Sequence, residues 1–183
     1  MEILEWKVRA NKQITTCFRQ KKKLPIRDGL IAFFTESGIE WTHAYTGTFQ
    51  FVVKRKSGAE KYSRMFSNSL NTLCGLPNAN RKAKKDLTKR LPMLTVIEGG
   101  SNGIHIHCHF LLARPKGMAN GKFEKLVHQA WKQTGNGSIM FNVLEPLFDT
   151  TGWVDYIAKE VTSKSTDAIN WQCTHVYRET LRA

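Results

Sequence analysis

The segment Ile104-His105-Ile106-His107-Cys108-His109-Phe110 alternates without a break between imidazoles and apolar side chains. As a β-strand it places Ile104, Ile106, Cys108 and Phe110 on one face and His105, His107 and His109 on the other. Neutral imidazoles two residues apart on a strand project in parallel and can share one divalent ion, their other ring nitrogens held by neighbouring groups. One histidine on a strand is usually structural, whereas three opposite an unbroken apolar face point to a metal or catalytic role. Glu98 ends the preceding apolar run and can add a hard oxygen. Two nitrogens, one carboxylate and open positions suit Mg²⁺ or Mn²⁺ acting on phosphate better than structural zinc, which takes four closed ligands. By simple alternation Glu98 shares a face with Leu94 and Val96, so a bulge or turn is expected to swing it toward the histidines.

Tyr156 is the second chemical feature. In a helix opened by Thr150 or Thr151 and running to about Val161, residues Trp153, Val154, Ile157, Ala158 and Val161 form the apolar stripe. Tyr156 and Lys159 fall together on the opposite side. A phenol is a poor nucleophile at its ordinary pKa of about 10, so it needs a nearby cation or a metal that polarises the group it attacks. Lys159 can supply the cation or steady a phosphate, and a histidine-bound ion can supply the polarisation. The Tyr-x-x-Lys spacing alone is weakly specific; following a histidine strand in a strongly basic chain, it carries more.

The elements that must position these groups read as follows. Two helices are expected over Ile3–Arg19 and Asp28–Ser37, separated by the basic Lys21–Pro25 segment. From Thr46, Phe49, Phe51 and Val53 alternate with Thr48, Gln50 and Lys54, the pattern of a half-buried strand. A helix over about Glu60–Cys74 carries Tyr62, Met65, Phe66, Leu70 and Leu73 at helical spacing, with Gly75 placed to end it. Asn78–Arg90 is either a short solvated helix or a loop. Pro92–Glu98 reads as a strand, Gly99–Gly103 as a turn and Ile104–Leu112 as the returning strand of a hairpin. A helix over Gly121–Gln133, capped by Asn120, buries Phe123, Leu126, Val127, Ala130 and Trp131, and a strand over Ser138–Glu145 follows. This order predicts an α+β domain with an antiparallel sheet and helices mainly on one face.

The 183 residues suit one domain: a helical N-terminal extension over 1–45, a core over 46–161 and a C-terminal extension over 162–183. A formal net charge of +13, from 28 basic and 15 acidic residues, points to a polyanionic partner. The basic residues bunch at Lys21–Lys23, at Lys54-Arg55-Lys56, and at Arg81, Lys82, Lys84, Lys85, Lys89 and Arg90, with no acidic block to offset them. Any one such run is as often a solvated face. Candidate nucleic-acid contacts are Lys54, Arg55, Lys82, Lys84 and Lys85, with Thr48 and Gln50 on the polar side of the first strand. The longest apolar run, Leu30–Phe34, is too short to span a bilayer, so no membrane partner is expected. The N-terminus lacks a signal peptide's basic start, and Cys17, Cys74, Cys108 and Cys173 have no CxxC spacing. Reduced thiols in a cytoplasmic protein are expected, with the nucleus left open.

Taken in order, these residues resemble the HUH endonucleases, and among them the single-tyrosine rolling-circle replication initiators (Rep proteins) of plasmids, phages and small DNA viruses. The resemblance covers residues 46–161: Thr46-Gly47-Thr48-Phe49, then the His-hydrophobe-His strand, then Tyr156-Ile157-Ala158-Lys159 on a helix. It implies a ferredoxin-like or RRM-like fold and a divalent cation, Mg²⁺ or Mn²⁺. It also implies that Tyr156 attacks a phosphodiester of single-stranded DNA, leaving a 5′-phosphotyrosine and a free 3′-hydroxyl that a polymerase can extend and that can later reseal the strand. The family's histidine pair is usually followed by one residue and then aliphatics, which fits His107-Cys108-His109-Phe110-Leu111-Leu112 better than His105-Ile106-His107. His107 belongs to either register, and His105 or His109 is then a third ligand or a phosphate contact. The cysteine between the pair departs from the family, though it is small and apolar enough for a core. No Gly-x-x-x-x-Gly-Lys-Ser/Thr loop occurs, so a host helicase would open the origin hairpin or duplex. A transposase or a plasmid-mobilising relaxase would resemble the same residues. A non-enzymatic ferredoxin-like nucleic-acid-binding module would instead show exposed aromatics where this sheet offers histidines.

Overall fold

The computed structural model describes residues 26–100, 105–159, 161 and 166–177. The helix expected over Ile3–Arg19, the Lys21–Lys23 run and turn residues Ser101–Gly103 lie outside them. Four strands, β1 (His43–Gly47), β2 (Met93–Glu98), β3 (His107–Leu112) and β4 (Val143–Pro146), form one sheet in the order β2-β3-β1-β4, every neighbouring pair antiparallel. Among the described residues five α-helices accompany them, α1 (Ile26–Thr35), α2 (Lys56–Leu73), the single turn α3 (Ala79–Lys82), α4 (Asn120–Lys132) and α5 (Thr150–Ile157), with a 3-10 turn at Leu87–Lys89. The fold is α+β, and the path β1-α2-β2-β3-α4-β4 through that strand order is compatible with the split βαβ arrangement of ferredoxin-like domains.

Helices cover both faces of the sheet, not mainly one. On one face Met93, Ile97, Cys108, Phe110 and Leu112 pack with Phe66 and Leu70 of α2 and Phe123, Val127 and Trp131 of α4. On the other, Leu94, Val96 and Leu111 meet Leu30 and Phe34 of α1 and Val154 and Ile157 of α5. The central strands therefore show no clean inside-outside alternation; every residue of β2 is buried.

This explains why the first strand lies earlier than the pattern suggests. The alternating Phe49, Phe51 and Val53 are not a strand; β1 is His43–Gly47, with Ala44 and Tyr45 buried on opposite faces. Beyond Gly47 the chain becomes a loop in which Phe51 is 66% exposed. Asn136 holds that loop, accepting from the Phe51 amide at 2.8 Å through its side chain and from the Gln50 amide at 2.8 Å through its carbonyl. The strand expected over Ser138–Glu145 shortens to β4 for the same reason, because Ile139, Met140 and Phe141 lie exposed before it.

Helix ends follow local chemistry. Gly75, at φ +82°, closes α2 as foreseen: its amide bonds to the Thr72 carbonyl at 3.0 Å and that of Leu76 to Asn71 at 2.8 Å, the paired bonds of a left-handed C-terminal cap. Asn120 is not the cap of α4; Ala119 occupies that place without a side-chain bond, and the helix begins at Asn120 itself. Asp149, rather than Thr150 or Thr151, caps α5, its carboxylate accepting from the Gly152 amide at 3.0 Å. Helix α5 stops at Ile157, so Lys159 sits in the turn that follows.

Residues 166–177, where the sequence leaves a strand or a short helix open, form neither and cover the outer edge of β2. Met93 exchanges backbone bonds with His175 (2.8 and 2.6 Å), and Ile97 and Thr95 bond to Ala168 and Asn170 (both 2.8 Å). An edge that would otherwise template association is thereby satisfied. His175 is buried and donates from Nε2 to the Leu87 carbonyl at 2.8 Å. Burial, reinforced by Arg90 and opposed by the Leu87 bond, pulls its pKa down to about 4. An unfolded histidine takes a proton near pH 6.5, whereas this one, folded, stays neutral to about pH 4. Its contribution to stability is thus lost as pH falls through that window. Between about pH 7 and about pH 5 the cost is about 2 kcal/mol, and His175→Gln, keeping a donor that cannot titrate, should remove that share of the pH dependence in urea unfolding.

Trp131 anchors the two loops at one end of the sheet. Its Nε1 donates to the Thr48 carbonyl at 2.9 Å, and its ring lies against Gly47, where an added Cβ would come within 2.8 Å of Cζ2. A Cβ on Gly137 would overlap the Trp131 carbonyl oxygen and ring Cδ1. Because the nearest obstacle is backbone, Gly137→Ala should destabilise by roughly 2–3 kcal/mol, read as a fall in Tm.

Candidate metal centre

The hairpin register assembles the centre. Glu98 faces His107 and Val96 faces His109 across β2 and β3, and directly opposed residues share a face. No bulge is needed: the histidine face is the Leu94-Val96 face itself, apolar where α1 and α5 cover it and polar at its far end.

Glu98 Oε2 lies 3.0 Å from His109 Nε2 and 3.8 Å from His107 Nε2. The three ligand atoms all fall within 4.8 Å of one another, a group that could hold a metal ion. Adjacent ligands about 2.1 Å from an octahedral ion are about 3 Å apart, so the set needs little adjustment. The tautomers also fit. His109 Nδ1 is 3.0 Å from Thr46 Oγ1, and His107 Nδ1 is 2.9 Å from the His105 carbonyl. With both Nδ1–H groups donating to these oxygens, each Nε2 lone pair is directed toward Glu98. Burial, aided by His107 and opposed by Glu98, pulls His109 to a pKa of about 4, leaving it neutral and able to ligate at neutral pH.

Lys159 extends the cluster. Its Nζ bonds Glu98 Oε1 at 2.8 Å and lies 4.4 Å from the centre of the Tyr156 ring. Burial pushes the Glu98 carboxyl up, but Lys159, His109 and His107 together hold it below its ordinary value. Lys159 in turn is held above its own, chiefly by the Glu98 bond. Tyr156 is 49% exposed, its ring centroid 5.8 Å from that of His109 and 5.5 Å from Trp153, on which it stacks. The arrangement thus places an accessible phenol beside an ammonium and a carboxylate-imidazole cluster.

Of the residues singled out in the sequence, His107, His109, Glu98, Tyr156 and Lys159 come together. The His105 side chain is exposed and outside the three-residue group; its carbonyl orients His107 instead. Thr48, Gln50, Lys54 and Arg55 follow β1 at the same end of the sheet, Thr48 tied to Asn142 at 3.0 Å. Lys82, Lys84 and Lys85 are exposed but precede β2, at the end of the sheet away from Glu98. Two contributors had weaker signals. Thr46 falls in the Thr46-Gly47-Thr48-Phe49 element, but nothing in the sequence marks it as the partner of His109. Trp153 looked like core, although its place three residues before Tyr156 on a helix foretells the stack. Among the described residues no helix is long and apolar enough to cross a membrane. No protein-family model, curated protein or solved structure matches this chain.

Proposed function

We propose that this chain is a metal-dependent nickase and strand transferase for single-stranded DNA, of the HUH endonuclease kind, working through a phosphotyrosine at Tyr156. The observation that carries the reading is the placement of the Tyr156 ring 5.8 Å from His109, with Lys159 linking it to Glu98. A binding module has no use for an accessible phenol beside two imidazoles and a carboxylate placed to share an ion. The strand order, compatible with ferredoxin-like domains, and the net charge of +13 support the same reading.

In this mechanism Tyr156 Oη attacks the phosphorus of a phosphodiester and gives up its proton to solvent. The bond from phosphorus to the 3′ oxygen breaks, and that oxygen takes a proton and leaves as a 3′-hydroxyl. Lys159 holds positive charge beside the phenol as negative charge develops there, and Glu98 fixes the ammonium. Glu98, His107 and His109 would hold a divalent ion of the Mg²⁺ or Mn²⁺ kind, which would supply charge to polarise the phosphate oxygens. Thr46 and the His105 carbonyl keep the imidazoles in the ligating tautomer. Because the phosphotyrosine retains a diester linkage, the 3′-hydroxyl can attack it and rejoin the strand. This chemistry suits initiation of rolling-circle replication at an origin hairpin or duplex opened by a separate helicase, with a polymerase extending the freed end. Mixing the chain with Mn²⁺ and a library of single strands should yield a covalent protein–DNA adduct that a chelator prevents. Failure to form it over the whole library overturns the reading.

A further inference from the structure

The end of the sheet that carries Glu98 and His107 also carries two loops rich in exposed apolar side chains. In the β1–α2 loop Phe51 and Val52 are 66% and 63% exposed; in the α4–β4 loop Ile139, Met140 and Phe141 are 73%, 79% and 71% exposed. Monomeric proteins seldom leave so much apolar surface together without a partner. The loops are laced to each other and are not trailing segments. Ser138 bonds the Thr48 carbonyl, Phe49 bridges Gly137, Asn142 accepts from Thr48, and Asn136 grips Phe51. Beside Phe51 and Val52 opens a cleft of about 480 Å³, bordered by Lys54, Arg55, Tyr62 and Asn136. That volume lies in the range of small-molecule sites.

We infer that these laced loops form a base-stacking platform for single-stranded DNA, gripping the strand beside the phosphate presented to Tyr156. Apolar and aromatic side chains receive the base faces, while Lys54 and Arg55 pair with the backbone, the combination single strands require. Distance agrees with the role: Thr46 touches His109, and Phe51 is five residues further along the chain, at most about 17 Å away. Charge selects the occupant. A second copy using the same patch would bring Lys54 and Arg55 of two chains, each of net charge +13, against one another. A polyanion with flat apolar bases meets both features at once.

The placement beside the nicked phosphate rests on the nickase reading; the stacking does not, and the test separates them. Binding of a labelled single strand of mixed sequence is measured by anisotropy without divalent ions, in the Tyr156→Phe chain, so that no nicking contributes. Phe51→Ala and Phe141→Ala should each weaken binding about tenfold while leaving the salt dependence unchanged. Replacing both Lys54 and Arg55 by Ala should instead lower the slope of log affinity against log salt by about 1.4. Both aromatic sites are exposed, so the variants should melt as the parent does. Unchanged affinity in both aromatic variants overturns the inference, as does an associating parent that the same variants render monomeric with DNA binding intact. If the wild-type chain forms its adduct regardless, the platform alone is lost. If no adduct ever forms but Phe51 and Phe141 still govern binding, the nickase reading falls and the platform stands.

Discussion

Tyr156→Phe should eliminate the covalent protein–DNA adduct, a loss on the order of 10⁴-fold or more, while strand binding and thermal stability stay at the wild-type level. The size follows from removing a nucleophile, for which neighbouring groups offer no substitute on this helix. The selectivity follows from the surroundings of the ring. It is half exposed, and its contacts with Trp153 and His109, like the Lys159 ammonium over its face, involve the ring that phenylalanine keeps; only the hydroxyl's own interaction with Lys159 is lost, at a site open to solvent. Adduct formation is read on denaturing gels, binding by anisotropy and folding by thermal melt. A persistent adduct in this variant assigns the nucleophile elsewhere and removes the reason for placing Lys159 in the chemistry.

Much of the centre was legible because strand periodicity and short-range pairing are local. The alternation through His107 and His109 survives in β3, and the hairpin joining it to β2 brings Glu98 opposite His107. What misled was the assumption that a face is uniform along its length. Leu94, Val96, His109 and Glu98 share one face; α1 and α5 cover one end of it and leave the other for chemistry. Simple alternation had therefore placed Glu98 correctly, and the expected bulge was an answer to a conflict that does not exist. The first strand was hidden by the opposite circumstance. His43-Ala44-Tyr45 is buried on both sides and shows no period, whereas Phe49, Phe51 and Val53 show one without being a strand.

The remaining gaps are contacts between distant parts of the chain. The edge of β2 is closed by isolated bonds at Ala168, Asn170 and His175, which need no repeating pattern and so leave no trace in sequence. The link from His109 to Thr46 joins residues 63 positions apart through register alone. The same dependence separates the basic runs: composition treats Lys54-Arg55 and Lys82-Lys85 alike, but only the first follows the strand end that carries the cluster.

Glu98→Gln should lower Mn²⁺ affinity by at least about 100-fold and reduce adduct formation in parallel, with little change in stability. Glu98 is shared by every part of the site: Oε2 faces both imidazoles and Oε1 holds Lys159. Two explanations of so connected a carboxylate make different predictions. As a ligand, it contributes a negative charge that an amide oxygen replaces poorly, and supporting groups outside the ligand set already cost 10–100-fold when lost. As a structural hub, its value lies in hydrogen bonds, and glutamine keeps an oxygen that accepts from Lys159 and adds an amide N–H that can donate to His109 Nε2. Lys159 is 40% exposed, so losing the ion pair itself should cost less than about 1 kcal/mol. Glu98→Ala would confound the two, stripping His109 and Lys159 of their partner together. Calorimetric titration with Mn²⁺ and urea unfolding of the Gln variant tell them apart: wild-type affinity with a large fall in stability would make Glu98 a brace for Lys159 and leave the imidazoles without their carboxylate co-ligand.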